Sequence, residues 1–418
     1  MKKFLAALLA VAMVFSMTAC GDGKSADGKV KLSMWCIATE ADSNRASYEN
    51  AIKDMQAKYP DIEFTWEAFE NQSYKTKIKA AISADDMPDI FFTWSCAFLG
   101  DFVNADKVYC LDDAFKGYES AIDEKMLINT TYNGKHYGVP LTMNIVTMFA
   151  NMDLLKQVGY NEVPGTYEDF IACCDALKAA GITPFGCAGG ETWCVTEYLE
   201  PIIEKTIGAT ALSDVFSGNA SWNNAEIAAA VDTFQGLVNK GYFNEDAMSL
   251  SNDEVKANFM AGKYAFYQNG SWNCADFAKN AEFFPKVKAS EFPVINADKA
   301  TLGMLIGGPS DTLAVAKCSK NAEAAAKYCV ELGQLICKYG YLDGCGLPAW
   351  KVDYATDNVN DLTKTVADIV ANSKQMVLFG DTAQEANDAD IYLKAVEKVY
   401  GCLTDGKGFT SSLAADIR

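Results

Sequence analysis

The chain has 418 residues, 50% hydrophobic and 22% charged, which suits two or three domains and excludes disorder. With 36 Lys+Arg against 55 Asp+Glu the net charge is −19, so the basic footprint that nucleic acid demands is missing. A single histidine, His136, leaves no multi-histidine metal centre and only one candidate for a Ser-His-Asp triad.

Lys2 and Lys3 precede an unbroken apolar run from Phe4 to Phe15, and Met17-Thr18-Ala19-Cys20 closes the segment. The run is too short to cross a bilayer but suits the apolar region of a signal peptide. A cysteine directly after two small residues has the form of a bacterial lipobox, with Met17 in place of the usual Leu. The competing reading is an ordinary secretory signal in which Cys20 is incidental. The expected organisation is a signal peptide over 1–19 and a Gly-rich tether over 20–29.

Val30 to Trp35 alternates as a strand, Tyr48, Ile52, Met55 and Tyr59 recur at helical spacing, and Ile62, Phe64 and Trp66 alternate again. Tyr74, Ile78 and Ile82 mark a second helix, and Asp89 to Thr93 a third, apolar strand. This β-α-β-α-β order predicts parallel strands whose carboxyl ends face a ligand. Asn133-Gly134 predicts a hairpin, and an apolar run from Leu141 to Ala150 opens a second α/β unit. Thr166 with Asp169 reads as a helix start and Gly181 as its stop. Asp253 to Met260 is a helix stopped by Gly262, and Tyr264 to Tyr267 a strand. Leu313 to Ala316 reads as a strand, and Asn321 to Tyr339 as a helix closed by Gly340. A segment returning near 300–340 makes the two α/β units discontinuous lobes.

Thirteen cysteines remain beyond Cys20, without a CxxC pair or a disulfide framework. Cys173, Cys174, Cys329 and Cys337 fall at apolar helix positions and read as buried thiols. So many free thiols suit an oxygen-poor setting. Gly344 to Ala349 fits GxGxxA, but Pro348 argues against a dinucleotide loop. His136 beside the hairpin reads as an exposed strand residue, and Asp85-Asp86 and Asp112-Asp113 as solvated loops. No metal or cofactor site emerges.

Four ordered stretches resemble the extracellular solute-binding proteins of bacterial carbohydrate ABC transporters, the group related to maltose-binding protein. They are Trp35 to Trp94, ending in MPDIFFTW; Gly134 to Leu141 (GKHYGVPL) with Phe149 to Leu155, Pro164 to Phe170 and Leu177-Lys178; Phe259 to Trp272 (FMAGKYAFYQNGSW), the most specific; and Gly307-Gly308 through Leu313 to Lys317 and on to Ala325. The last 70 or so residues match loosely. The resemblance implies a type II periplasmic-binding-protein-like fold: two discontinuous α/β lobes joined by a multi-segment hinge. It places the N-terminal lobe at 30–142 and 305–337 and the C-terminal lobe at 143–304 and 338–418. Its crossings fall near 140–144, 300–308 and 336–346. It implies no catalysis and no cofactor, a monomer lipid-anchored through Cys20 on the outer face of a Gram-positive cell membrane, an oligosaccharide ligand and permease partners.

A sugar needs aromatic plates for its C–H faces and polar groups for its hydroxyls. Trp272 is the sharpest candidate plate, its alternative being a core indole under a loop. Trp94 and Ser95 follow the third strand, Glu40 the first. Asn144 stands where maltose-binding protein has an acidic contact, Trp193 lies in GGETW, and Trp350 and Asp381 fall in the loosely matched tail. A polyamine or other small solute is the alternative cargo, and a surface glycosidase a more remote one.

Overall fold

A computed structural model describes residues 28–417; the lipobox around Cys20 and most of the tether lie outside them. In the first lobe the strands Val30–Cys36, Ile62–Ala68 and Ile90–Trp94 are parallel, as the alternation predicts, with Val30 opposite Ile62. The helices Arg45–Lys58 and Asn71–Ala84 form the crossovers. The second is capped by Glu70, whose carboxylate accepts from the Gln72 and Ser73 N–H groups at 2.8 and 2.9 Å and so removes orphan donors. Strands Asp311–Val315 and Val139–Pro140 complete this sheet in antiparallel sense. Helix Ala322–Asp343 contributes Tyr328, Leu332 and Ile336 to the core under Leu32, Met34 and Phe91.

The second lobe is built on Thr142–Asn151, all ten of whose residues are buried. Apolar clusters pack on both its faces, which is why its apolar residues fall on both sides of the strand instead of alternating with polar ones. Its sheet runs in the order 375–377, 304–309, 142–151, 264–270, 183–186. Thr166 caps helix Tyr167–Ala179, its Oγ1 accepting from Asp169 N at 3.1 Å. In the expected hairpin both Asn133 (φ 52°) and Gly134 (φ 72°) are left-handed, as a primed turn requires. Among the described residues no helix is long and apolar enough to cross a membrane.

The chain first crosses between the two sheets at Leu141, between strands Val139–Pro140 and Thr142–Asn151. It returns at Ser310, not within 300–308, and the lobe boundary expected at 305 moves accordingly. Strand Met304–Pro309 stays in the second sheet, pairing with Met143 to Ile145. Gly307 (φ 140°) allows this, because a Cβ there would strike the Asn144 carbonyl. The helix expected to close at Gly340 continues to Gly344 (φ 81°), where the Cys345 N–H donates back to the Gly340 carbonyl at 2.8 Å. Leu347–Pro348 pairs with the hinge strand at Thr142 and Met143. The chain then re-enters the first core with Ala349 and Trp350, so the last lobe change follows Trp350 instead of residue 337.

Candidate functional site

A cleft of about 520 Å³ lies between the lobes. It is lined by the carboxyl ends of first-lobe strands, the start of helix Asn71–Ala84, and second-lobe loops around Trp193, Asn252, Trp272 and Asp381.

The aromatic wall belongs mainly to the second lobe. Trp272 follows strand Tyr264–Gly270 and folds back over its end: a Cβ on Gly270 would strike the indole six-membered ring. The Trp272 ring lies 6.0 Å from Trp193 and 6.4 Å from Phe379, tilted to both. Trp193 is pinned by its Nε1–H, which donates to Glu191 Oε2 at 3.0 Å, while Glu191 Oε1 accepts from Asn252 N at 2.8 Å. One carboxylate thus fixes two loops of the wall. From the first lobe Trp94 enters the cleft edge-on to Phe92 and Phe98, with Lys75 Nζ 4.8 Å above its ring. Lys75 also reaches Asp381 of the second lobe at 3.7 Å.

On three residues that line the cleft a buried side-chain oxygen has no hydrogen-bond partner among the described residues: Asn44 Oδ1, Asn71 Oδ1 and Glu197 Oε2. Buried acceptors are normally satisfied, so these are polar groups of the cleft wall that the described residues leave unpaired. Carboxylates dominate the lining: Asp42, Glu70, Glu191, Glu197, Asp253, Asp311 and Asp381 face two lysines, Lys75 and Lys256. Lys256 is itself held by Asp276 at 2.7 Å and Asp253 at 3.1 Å. Burial pushes Asp42 and Asp311 up to about 6. Burial, with the nearby charges of Glu200 and Asp381, holds Glu197 well above the usual carboxylate range.

Helix Thr192–Ile207 organises this lobe's side of the site. Trp193, Thr196 and Glu197 face the cleft from its first turns. One turn further, the buried Glu200 accepts the Gly380 N–H at 3.1 and 3.2 Å and the Tyr392 hydroxyl at 3.0 Å. Gly380 opens the short helix that carries Asp381 and Thr382 into the cleft.

Of the residues expected from sequence, Trp272, Trp94, Trp193 and Asp381 line the cleft. The other four do not. Ser95 is buried and points behind the third strand, its hydroxyl donating to the Pro309 carbonyl at 3.0 Å. Glu40 is an outlying exposed carboxylate 3.0 Å from Arg45. Asn144 lies beneath the Trp272 loop, accepting from the Ser271 hydroxyl at 2.9 Å and donating to Thr142 Oγ1 at 3.1 Å. Thr142 in turn donates to Asp311 at 3.3 Å, so Asn144 braces the hinge. Trp350 is core: it stacks on Phe115, and its Nε1–H donates to the Pro140 carbonyl at 2.8 Å. His136 is partly buried rather than exposed, with Nδ1 2.9 Å from Asp112. Cys173, Cys174, Cys329 and Cys337 are buried as expected. Among the described residues no cluster could hold a metal.

The family model for bacterial extracellular solute-binding proteins matches residues 38–329. The multiple sugar-binding protein of Streptococcus mutans is 23% identical over 408 residues, covering 96% of this chain and 93% of its own. The melibiose/raffinose/stachyose-binding protein of Bacillus subtilis is 21% identical over 320 residues, covering 74% of this chain and 72% of its own. A structure solved in work on xylan utilization by the thermophilic bacterium Caldanaerobius polysaccharolyticus superposes with a TM-score of 0.88 at 29% identity, over 93% of this chain and 100% of that one.

Proposed function

We propose, since this chain belongs to the bacterial extracellular solute-binding proteins, that its cleft captures an oligosaccharide and delivers it, chemically unchanged, to an ABC importer. The observation that carries this reading is the gathering of indoles from both lobes in one cleft with amide, hydroxyl and carboxyl side chains, Asn71, Asn252, Thr196 and Glu191 among them. Aromatic faces take the C–H side of a pyranose, and amide or carboxyl oxygens accept from its hydroxyls. The sugar-binding relatives support the same cargo. Cys20 then carries the lipid that holds a monomer on the outer face of a Gram-positive membrane, residues 21–29 supply the reach, and permease subunits receive the cargo.

A thermal-shift panel of oligosaccharides of different linkage tests the cargo. A ligand at about 100 times its Kd adds about 2.7 kcal/mol to native stability, a clear rise in Tm. The carboxylate excess of the cleft favours one second reading, a polyamine; a panel silent for glycans but shifted by spermidine or putrescine would establish it. The anchor has its own test: Cys20→Ser releases the protein from membranes, and continued attachment would refute the lipid.

A further inference from the structure

Beside the main cleft lies a second compartment of about 430 Å³. The two share Gln72, Lys75, Glu191, Trp193 and Asp381 as a common wall, so they are parts of one groove divided at the Trp193 ring and the Lys75–Asp381 pair. Like the cleft, the compartment takes its walls from both lobes. Helix Asn71–Ala84 and Phe98 supply one side, and helix Ala386–Tyr400, with Asp390 and Leu393, the other.

Its chemistry suits neutral hydroxylated rings. The ions of the shared wall are already engaged: Lys75 faces Asp381, and both oxygens of Glu191 accept hydrogen bonds. Further out, Lys79 makes no salt bridge among the described residues, its ammonium 5.3 Å above the Phe98 ring. Opposite it Asp390 is exposed. Lys79 as donor, Asp390 as acceptor, an aromatic ring and a leucine offer hydrogen bonds and an apolar surface, in a lining where two lysines nearly balance three carboxylates.

We infer that this compartment binds the outer units of the same oligosaccharide, so that the preferred ligand is a chain long enough to pass Trp193 and engage Lys79 and Asp390. This rests on the sugar reading and adds the length of the cargo and the place where length is sensed. A separate ligand in the outer compartment is disfavoured because the two compartments meet at the same five side chains.

The test is calorimetric titration of the full-length protein with xylo-, chito-, malto- and galacto-oligosaccharide series, from monosaccharide to hexasaccharide. In the series that binds, Kd falls at least about ten-fold from the shortest binder to the longer members. Thr76→Trp and Asp390→Trp fill the compartment from exposed helix positions, and each lowers the ratio of long-chain to short-chain affinity by at least about ten-fold. A Kd independent of length in the wild type, or an unchanged ratio in both variants, overturns the inference while leaving sugar capture intact. A wild type silent to every series at every length refutes sugar capture itself, and the inference with it.

Discussion

The Trp272 indole rests on Gly270, so the GSW sequence at 270–272 acts as one unit: the glycine clears the space into which the ring folds. One face is thereby covered and the ring remains partly open to the cleft. Trp272→Ala therefore raises Kd for the bound sugar at least about ten-fold, or about 1.4 kcal/mol, while the ligand-free Tm moves little. A buried core aromatic would instead cost about 3–5 kcal/mol of stability on truncation. Calorimetric titration beside apo melting curves separates the two, and strong destabilisation with unchanged affinity would make Trp272 core. The expectations that failed, failed at this scale. Position at a strand end says where a residue sits along the sheet, but successive side chains face opposite ways. Trp94 and Ser95 are neighbours, yet one meets the cleft and the other the Pro309 carbonyl. Asn44, Asn71 and Glu197 escaped notice because a polar residue at or near a helix start reads as solvated until a second lobe is placed against it.

Helix Thr192–Ile207 carries cleft-lining groups and, through Glu200, fixes the Gly380–Ala383 turn that presents Asp381. Glu200 is a positioning residue, and it lies so deep that burial, with Asp381 nearby, pushes it up to about 8. The native state therefore holds this proton more tightly than the unfolded chain does. Its contribution to stability is full below the ordinary glutamate range and is lost as pH rises towards 8. Glu200→Gln keeps an acceptor for Gly380 and Tyr392, so it retains sugar affinity and flattens the fall of apo Tm between about pH 5 and 8. Glu200→Ala leaves the Gly380 N–H unpaired and weakens binding although the residue touches no ligand. Equal affinity in Ala and Gln variants would show that the turn is held by other contacts. Most elements were legible because their apolar periods and caps agree with the fold. The boundary at Ser310 was not, since the freedom of Gly307 to lie against Asn144 emerges only once the strands are paired.

At the scale of the molecule, the lobes are tied by the crossings at Leu141 and Ser310, by the chain's passages between them around Leu347 to Trp350, and by the Lys75–Asp381 pair across the cleft. A sugar held by groups of both lobes favours their approach. Small-angle scattering should show a smaller radius of gyration at saturation with ligand, and an unchanged radius would argue against closure. The two-lobe plan was readable from the β-α order, but the tail was not: Trp350 returns to the first core after a strand that pairs beside the hinge, a reversal that no local period encodes. The thirteen free cysteines of the described residues carry a last consequence. Cys36, Cys187, Cys274 and Cys329 are among those buried, with burial raising every one of these thiols far from the reactive thiolate form, while only Cys318 and Cys402 are exposed. The folded protein thus exposes only those two of its thirteen described thiols fully to oxidants, whereas its unfolded chain exposes them all. Each excursion to the unfolded state in air exposes thiols that can pair wrongly before refolding, so the protein's lifetime under oxygen is set by how often it opens. Whatever sugar holds the lobes shut also shields the sulfur.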